Sequence, residues 1–285
     1  MPITAIGSTS TIHLVEDLVE SAQNSQPGLL IKVRSVNVAV TPEWWNLTDF
    51  PTIAIFSGPI ADEHLATFQR QRHAFPLHLS IGIDAMIIVT HKTNPISERG
   101  LTLAQIDAIF SMTRNRGHSP VHLWRDIDLN GAWKQRPINI IGQDASSSYF
   151  RNFIRHALKE GDFKHQVIRL PNSASVVKEV SRDKYAIGYT SKSALTTKVK
   201  IVPLKSRMNS DFIVPTFQQV QGDHYPLLVT LSLYSDANSN EPLDPTVQEL
   251  LDFILSRQGQ EVLLQRGYTP LTPQQIQQER SKIRN

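Results

Sequence analysis

Two short runs of small hydroxyl residues carry the chemistry most worth following in this chain. The first is Gly7-Ser-Thr-Ser-Thr11, and the second is Gly142-Gln-Asp-Ala-Ser-Ser-Ser148. Each stands where an extended segment gives way to a helical pattern. A helix N-terminus carries about half a positive charge, and its first N–H groups have no intrahelical acceptor. Two such starts acting on one small anion could hold it with no metal or cofactor. The plainer alternative is that each serine caps its own helix. The two roles are compatible, because a helix start has several orphan donors.

Other chemistry is sparse. No phosphate-cradling glycine loop, dinucleotide fingerprint, nucleophile elbow or H-E-x-x-H zinc motif occurs. Cysteine is absent, which removes disulfides, thiolate metal sites and cysteine nucleophiles together. His118 and His122 are four apart, but Pro120 lies between them, so they read as loop histidines and no metal site is assigned. Trp44-Trp45 is a packing pair or a ligand-stacking pair near a loop. Glu16/Asp17 and Asp62/Glu63 are sequence neighbours that do not face each other on a helix; they suit helix starts better than acid–base work. With no nucleophile–base constellation, no catalytic residue and no cofactor are assigned, and the chain reads as a non-enzyme.

The elements that must position the two runs follow from periodicity. Ile3–Ile6 reads as a strand. Leu14, Val15, Leu18 and Val19 then form one face of a helix, with Ser10 as its expected N-cap. Leu29–Val33 and Thr52–Phe56 read as strands, and 62–72 as a helix. Ile81–Thr90 is nearly all apolar, as suits a strand buried on both faces. Thr102-Leu-Ala-Gln105 is a capping box. Pro137–Ile141 reads as a strand ahead of the second hydroxyl run; Phe150, Phe153, Ile154 and Leu158 continue from that run as a helical face. Val176, Val177 and Val180 mark another helix, and Tyr185–Tyr189 another strand. Asp244-Pro245 opens a helix whose buried face is Val247, Leu250, Leu251, Ile254 and Leu255. Gly267 ends the next helix, and the Gln-rich tail Pro273–Gln278 reads as solvated helix. Strands alternating with helices indicate an α/β fold.

Length and composition bound the rest. The chain has 285 residues, 40% apolar and 19% charged, with 29 basic against 26 acidic side chains for a net charge of +3. That suggests one large domain or two lobes. The basic excess is too small and too spread out to indicate nucleic-acid binding. No apolar stretch approaches the ~20 residues of a membrane span. The N-terminal segment lacks a basic region followed by a long apolar run, so the chain reads as either cytoplasmic or a mature form with an added Met1.

Several stretches, in order, resemble the phosphate-binding, PstS-like family of periplasmic solute-binding proteins. Gly7-Ser-Thr-Ser-Thr-Ile12 is similar to the family's first anion loop, and Phe56-Ser-Gly-Pro-Ile-Ala-Asp-Glu63 to a segment after an early strand. Ile83-Asp84 to Val89 with Asn94-Pro95-Ile96 resembles its lobe-crossing strand and turn. Leu101-Thr-Leu-Ala-Gln-Ile-Asp-Ala-Ile-Phe110, Ala186-Ile-Gly-Tyr189, Leu255-Ser-Arg-Gln-Gly-Gln260 and Gly267-Tyr-Thr-Pro-Leu271 follow in the family's order.

The resemblance implies a two-lobe, class II periplasmic-binding-protein fold with a ligand cleft between the lobes. Residues 1–85 and 229–285 would form lobe one and residues 86–228 lobe two, the chain crossing near Met86 and returning near Val229. It implies an extracytoplasmic monomer that captures phosphate, or a similar small oxyanion, for an ABC permease. Anion-binding roles carry over to Ser10, Thr11 and Ile12 in the first loop, and to Thr41 where a second-loop serine is expected. Ser57 stands where many members hold an aspartate. Gln143, Ser146, Ser147, Ser148 and Tyr149 form the third loop. That loop departs from the family's Arg-x-x-x-Ser-Gly-Thr: Gln143 replaces the arginine, Ser148 the glycine and Tyr149 the threonine. These changes keep open a second reading, a diverged interaction or signalling protein that has lost phosphate binding or takes another ligand.

Overall fold

The computed structural model describes residues 2–37, 43–238 and 242–283. In chain order the elements are β1 (Ile3–Ser8), α1 (Ile12–Ser25), β2 (Ile31–Val36), β3 (Thr52–Ser57), α2 (Asp62–Arg72) and the long β4 (Pro76–His91). Then come α3 (Ile96–Arg99), α4 (Leu103–Phe110), β5 (Asn139–Gln143), α5 (Ser148–His156), β6 (Ile168–Leu170), α6 (Ser173–Val180) and β7 (Ala186–Ser191). Short strands β8 (Val199–Val202), β9 (Leu204–Lys205) and β10 (Phe212–Ile213) precede α7 (Phe217–Gln221) and β11 (Leu228–Asn238). The chain closes with α8 (Pro245–Ile254), α9 (Arg257–Gln265) and α10 (Pro273–Ile283).

The chain divides into two compact units. One runs to Asp84 and resumes at Thr230; the other is Ala85–Val229. In the first unit, β1 pairs in parallel with both β2 and β3, and β11 lies antiparallel to β3. The side chains of Leu14, Val15, Leu18 and Val19 cover this sheet from α1, joined by Leu250, Leu251 and Ile254 from α8. A separate cluster holds Trp44 and Trp45 edge-on, 5.6 Å between ring centroids, against Phe56, Phe68 and Tyr234. The tryptophan pair is therefore packing. In the second unit, β4 runs antiparallel to β7 and β8, while β7, β5 and β6 are parallel. Val176, Val177 and Val180 of α6 pack on Ile87, Val89 and Ile141.

Local signals in the sequence held where they were self-contained. The Thr102–Gln105 capping box is formed in both directions, and Asp244 Oδ1 accepts from the N–H of Thr246 at 2.8 Å ahead of Pro245. They shifted where a neighbour intervened. Leu29 closes the turn after α1 through its N–H to Gln26 O, so β2 begins at Ile31. Pro137 has no N–H to give a ladder; it makes an isolated bridge with Leu123, and β5 begins at Asn139. Glu16 and Asp17 fall in the second turn of α1; Asp17 pairs with Arg266 and Glu16 with His13. The buried face of α5 is Tyr149, Asn152 and Phe153, with Phe150 and Ile154 half-buried. The tail helix is longer than Gln278 and only partly solvated. Glu279 and Ile283 are buried, and Glu279 Oε2 accepts from the N–H of Ser80 at 3.1 Å.

Candidate functional site

The first hydroxyl run lies entirely in the first unit, at the turn from β1 into α1. Ser10 was the expected cap, but Thr11 occupies the N-cap position, and its side chain makes no cap hydrogen bond. The Thr11 hydroxyl instead donates to Ile55 O of β3 at 2.6 Å and accepts from the N–H of Ser8 at 2.9 Å. Thr11 is fully buried, so its role is to tie the turn to the neighbouring strand. The first intrahelical bond is Val15 N–H to Thr11 O. The N–H groups of Ile12, His13 and Leu14 therefore precede the ladder and lack a side-chain cap. Ser10 is half-buried with its hydroxyl 2.9 Å from that of Ser8. No acidic side chain sits in the first turn of α1, so nothing there neutralises the positive end of the helix dipole.

Gly7 makes this geometry possible, and reading the hydroxyl run alone overlooked it. A Cβ on Gly7 would lie 2.6 Å from Ile12 Cα and 2.9 Å from Ile12 N. Only a residue without a side chain lets β1 approach the start of α1 so closely. Ser57 ends β3 in the same unit, buried and in register with Leu231. Thr41 lies outside the described residues.

The third loop lies entirely in the second unit, between β5 and α5. Ser147 is the N-cap of α5 and accepts from the N–H of Tyr149 at 3.2 Å. Its hydroxyl also donates to Gln143 Oε1 at 2.6 Å. Gln143 Nε2 donates to Ser173 Oγ at 3.1 Å, and Ser173 Oγ accepts from the N–H of Ser191 at 3.2 Å. The Gln143 amide thus braces the starts of α5 and α6 and the end of β7. The sequence reading assigns Gln143 to the anion; in the structure each end of its amide has an internal partner, using one of the two Nε2 hydrogens. Ser173 and Ser191 were missed, although Asn172-Ser-Ala-Ser175 and Thr190-Ser-Lys-Ser193 are hydroxyl-rich signals of the same kind.

The backbone of Gln143 is pinned as well. Its N–H donates to the Tyr189 hydroxyl at 3.0 Å, and that hydroxyl lies 3.3 Å from Gln143 O. Burial holds the Tyr189 phenol protonated far above its ordinary range. The Tyr189 ring stacks on Phe153 at 3.8 Å. Tyr149 is buried, so its side chain belongs to the core of this unit. Ser146 and Ser148 are half-buried. The Ser146 hydroxyl donates to Asp144, whose carboxylate is the acidic group of this turn. As in α1, no acidic residue occupies the first turn of α5.

Each unit therefore has a hydroxyl-lined helix start with no acidic side chain in its first turn, α1 in the first unit and α5 in the second. Residues 3–258 match the PBP superfamily domain. The chain belongs to the PBP superfamily. Within it this chain stands with the PstS-like proteins: it is 32% identical over 271 residues to the phosphate-binding protein PstS of Pseudomonas aeruginosa, covering 94% of this chain and 83% of that relative. Among solved structures, a phosphate-bound one from Clostridium perfringens superposes with a TM-score of 0.73 at 20% identity, covering 95% of this chain and 100% of that one. An ABC-type phosphate transport receptor from Vibrio cholerae gives 0.71 at 18%, covering 94% and 100%. At those identities the superpositions establish the fold. This PBP-superfamily chain has the two-lobe α/β architecture that its sequence resemblance implies.

Proposed function

We propose that this protein is an extracytoplasmic solute-binding protein that captures a small oxyanion, phosphate first, between its two lobes and delivers it to an ABC permease. The observation that carries the reading is the start of α1, where the capping hydroxyl is turned away to Ile55 and three helix N–H groups are left for a ligand. Similarity to a PstS protein over 94% of the chain supports the choice of anion. In this reading Ser10, the N–H groups of Ile12 and its neighbours, and Ser57 bind from one lobe. Ser148 binds from the other, while Thr11, Gln143, Ser147 and Ser146, whose hydroxyl and N–H both donate to Asp144, hold their turns in place and the Tyr149 ring anchors α5. Thr41 keeps its expected second-loop role. Binding is a hinge closure of lobes, with no chemical step. The protein acts as a monomer, without cofactor, metal or nucleic acid.

Titration calorimetry of ligand-stripped protein with phosphate, sulfate as control, tests this. A hydrogen bond to a charged group contributes about 1.5–3 kcal/mol, so Ser10→Ala weakens phosphate binding by about tenfold or more without changing the unfolding midpoint. Absence of heat with either anion defeats the reading. That outcome favours the diverged interaction protein, for which the internally spent Gln143 amide is the specific structural argument.

A further inference from the structure

Ser173 stands at the carboxyl ends of three strands of the second unit. β5, β6 and β7 run parallel and end at Gln143, Leu170 and Ser191. Ser173 follows Leu170 by three residues and opens α6. Ligand sites of parallel α/β sheets open at this edge. The third loop leaves β5 at the same edge and carries Ser148 at the start of α5.

The hydroxyl protons along this edge can be followed one by one. A serine hydroxyl has one proton to give and two positions that accept. Ser147 gives its proton to Gln143 Oε1 at 2.6 Å, and Ser146 gives its own to Asp144. Thr190 Oγ1 donates to Ser173 O at 3.3 Å. Ser173 differs. Its Oγ accepts from Gln143 Nε2 at 3.1 Å and from the N–H of Ser191 at 3.2 Å, so both accepting positions are filled. Its own proton meets no acceptor among the described residues. Ser173 is half-buried, whereas Gln143 is 1% exposed, so the serine and not the amide is open to a ligand.

Given the oxyanion reading, on which this rests, we propose that Ser173 is a further anion ligand of the second lobe, its hydroxyl donating to an oxygen of the captured oxyanion. A group that can only donate selects an acceptor and rejects another donor. The two N–H groups that donate into Oγ polarise its O–H and strengthen the bond it gives. Gln143 ties Ser173 to Ser147, so this hydroxyl is held in fixed relation to the turn that carries Ser148.

Phosphate titration calorimetry on the parent, Ser173→Ala, Gln143→Met and the double variant tests this as a cycle. Loss of a hydrogen bond to a charged group is expected to weaken phosphate binding about tenfold in Ser173→Ala. Because Ser173 also supports Gln143, the deciding comparison is in the Gln143→Met background, where that support is already gone. A direct ligand still weakens binding about tenfold there on loss of its hydroxyl; a residue acting only through Gln143 has no further effect. A crystal structure of the phosphate-bound parent is the second measurement, with Ser173 Oγ expected within about 3 Å of a phosphate oxygen. The proposal is overturned if Ser173→Ala binds phosphate as the parent does, if its effect vanishes in the Gln143→Met background, or if bound phosphate lies out of hydrogen-bond reach of Ser173. A parent that binds neither phosphate nor sulfate defeats the oxyanion reading itself, and the ligand role of Ser173 falls with it.

Discussion

Gly7→Ala is the sharpest probe of how the first helix start is built. The methyl group would meet Ile12 Cα at 2.6 Å and Ile12 N at 2.9 Å. Both are backbone atoms, so no side-chain rotation relieves the clash. Restoring an ordinary contact of 3.4 Å requires the start of α1 to move away from β1 by about 0.8 Å. The Thr11–Ile55 and Ser8–Thr11 bonds, at 2.6 and 2.9 Å, lie across that same gap and lengthen with it. Forcing a methylene-sized group into a packed position costs about 1–3 kcal/mol. For about 2 kcal/mol in a chain of this size, the melting midpoint falls by roughly 3–4 °C. On the proposed function, the displaced N–H groups also lose alignment with the anion, and phosphate affinity is expected to fall by about tenfold or more. Gly28→Ala is the matched control, since its added methyl meets nothing within 4 Å. Differential scanning calorimetry and phosphate titration on both variants decide the matter. If Gly7→Ala melts and binds like Gly28→Ala, the close approach is not what shapes the helix start, and the reasoning is refuted.

Two further predictions concern buried charge. Burial pushes the Asp236 carboxyl up to about 6, against the opposing influence of the Thr52 N–H and Arg72. The native state then binds more protons than the unfolded chain between about pH 4 and 6, so stability falls as pH rises through that window. Asp236→Asn keeps an acceptor for Thr52 and is expected to be about 1–2 kcal/mol more stable than the parent at pH 7.5, with no advantage at pH 4; a pH-independent difference in urea unfolding would contradict this. Burial, with Arg114 adding to it, lowers the Lys164 ammonium to about 8, although Nζ donates to Ala108 O at 2.8 Å and Val121 O at 2.6 Å. Here the unfolded chain binds more protons, so this lysine makes stability rise between about pH 8 and 10. Lys164→Met should lose that increment relative to the parent, and parallel pH profiles for the two proteins would rule the mechanism out.

The sequence by itself determined what is written within a few residues. Leu14, Val15, Leu18 and Val19 declare a helix face, Thr102 and Gln105 a capping box, and Asp244-Pro245 a helix start, and all three are found. The two hydroxyl runs declared themselves at strand-to-helix turns for the same local reason, and the ordered family motifs carried the α/β two-lobe architecture. What only the tertiary structure decided is which hydroxyls and amides are taken up inside the protein. Thr11 is spent on Ile55, 44 residues away, and Gln143 on Ser173, 30 residues away, while Tyr189, 46 residues on, pins the Gln143 backbone. A polar group taken out of water must find a partner, and which partner is nearest depends on strand pairing across the sheet. The same holds for Asp236, whose carboxylate accepts from the Thr52 N–H 184 residues earlier. Residue type and spacing locate a helix start, and long-range hydrogen bonding then decides which of its donors build the turn.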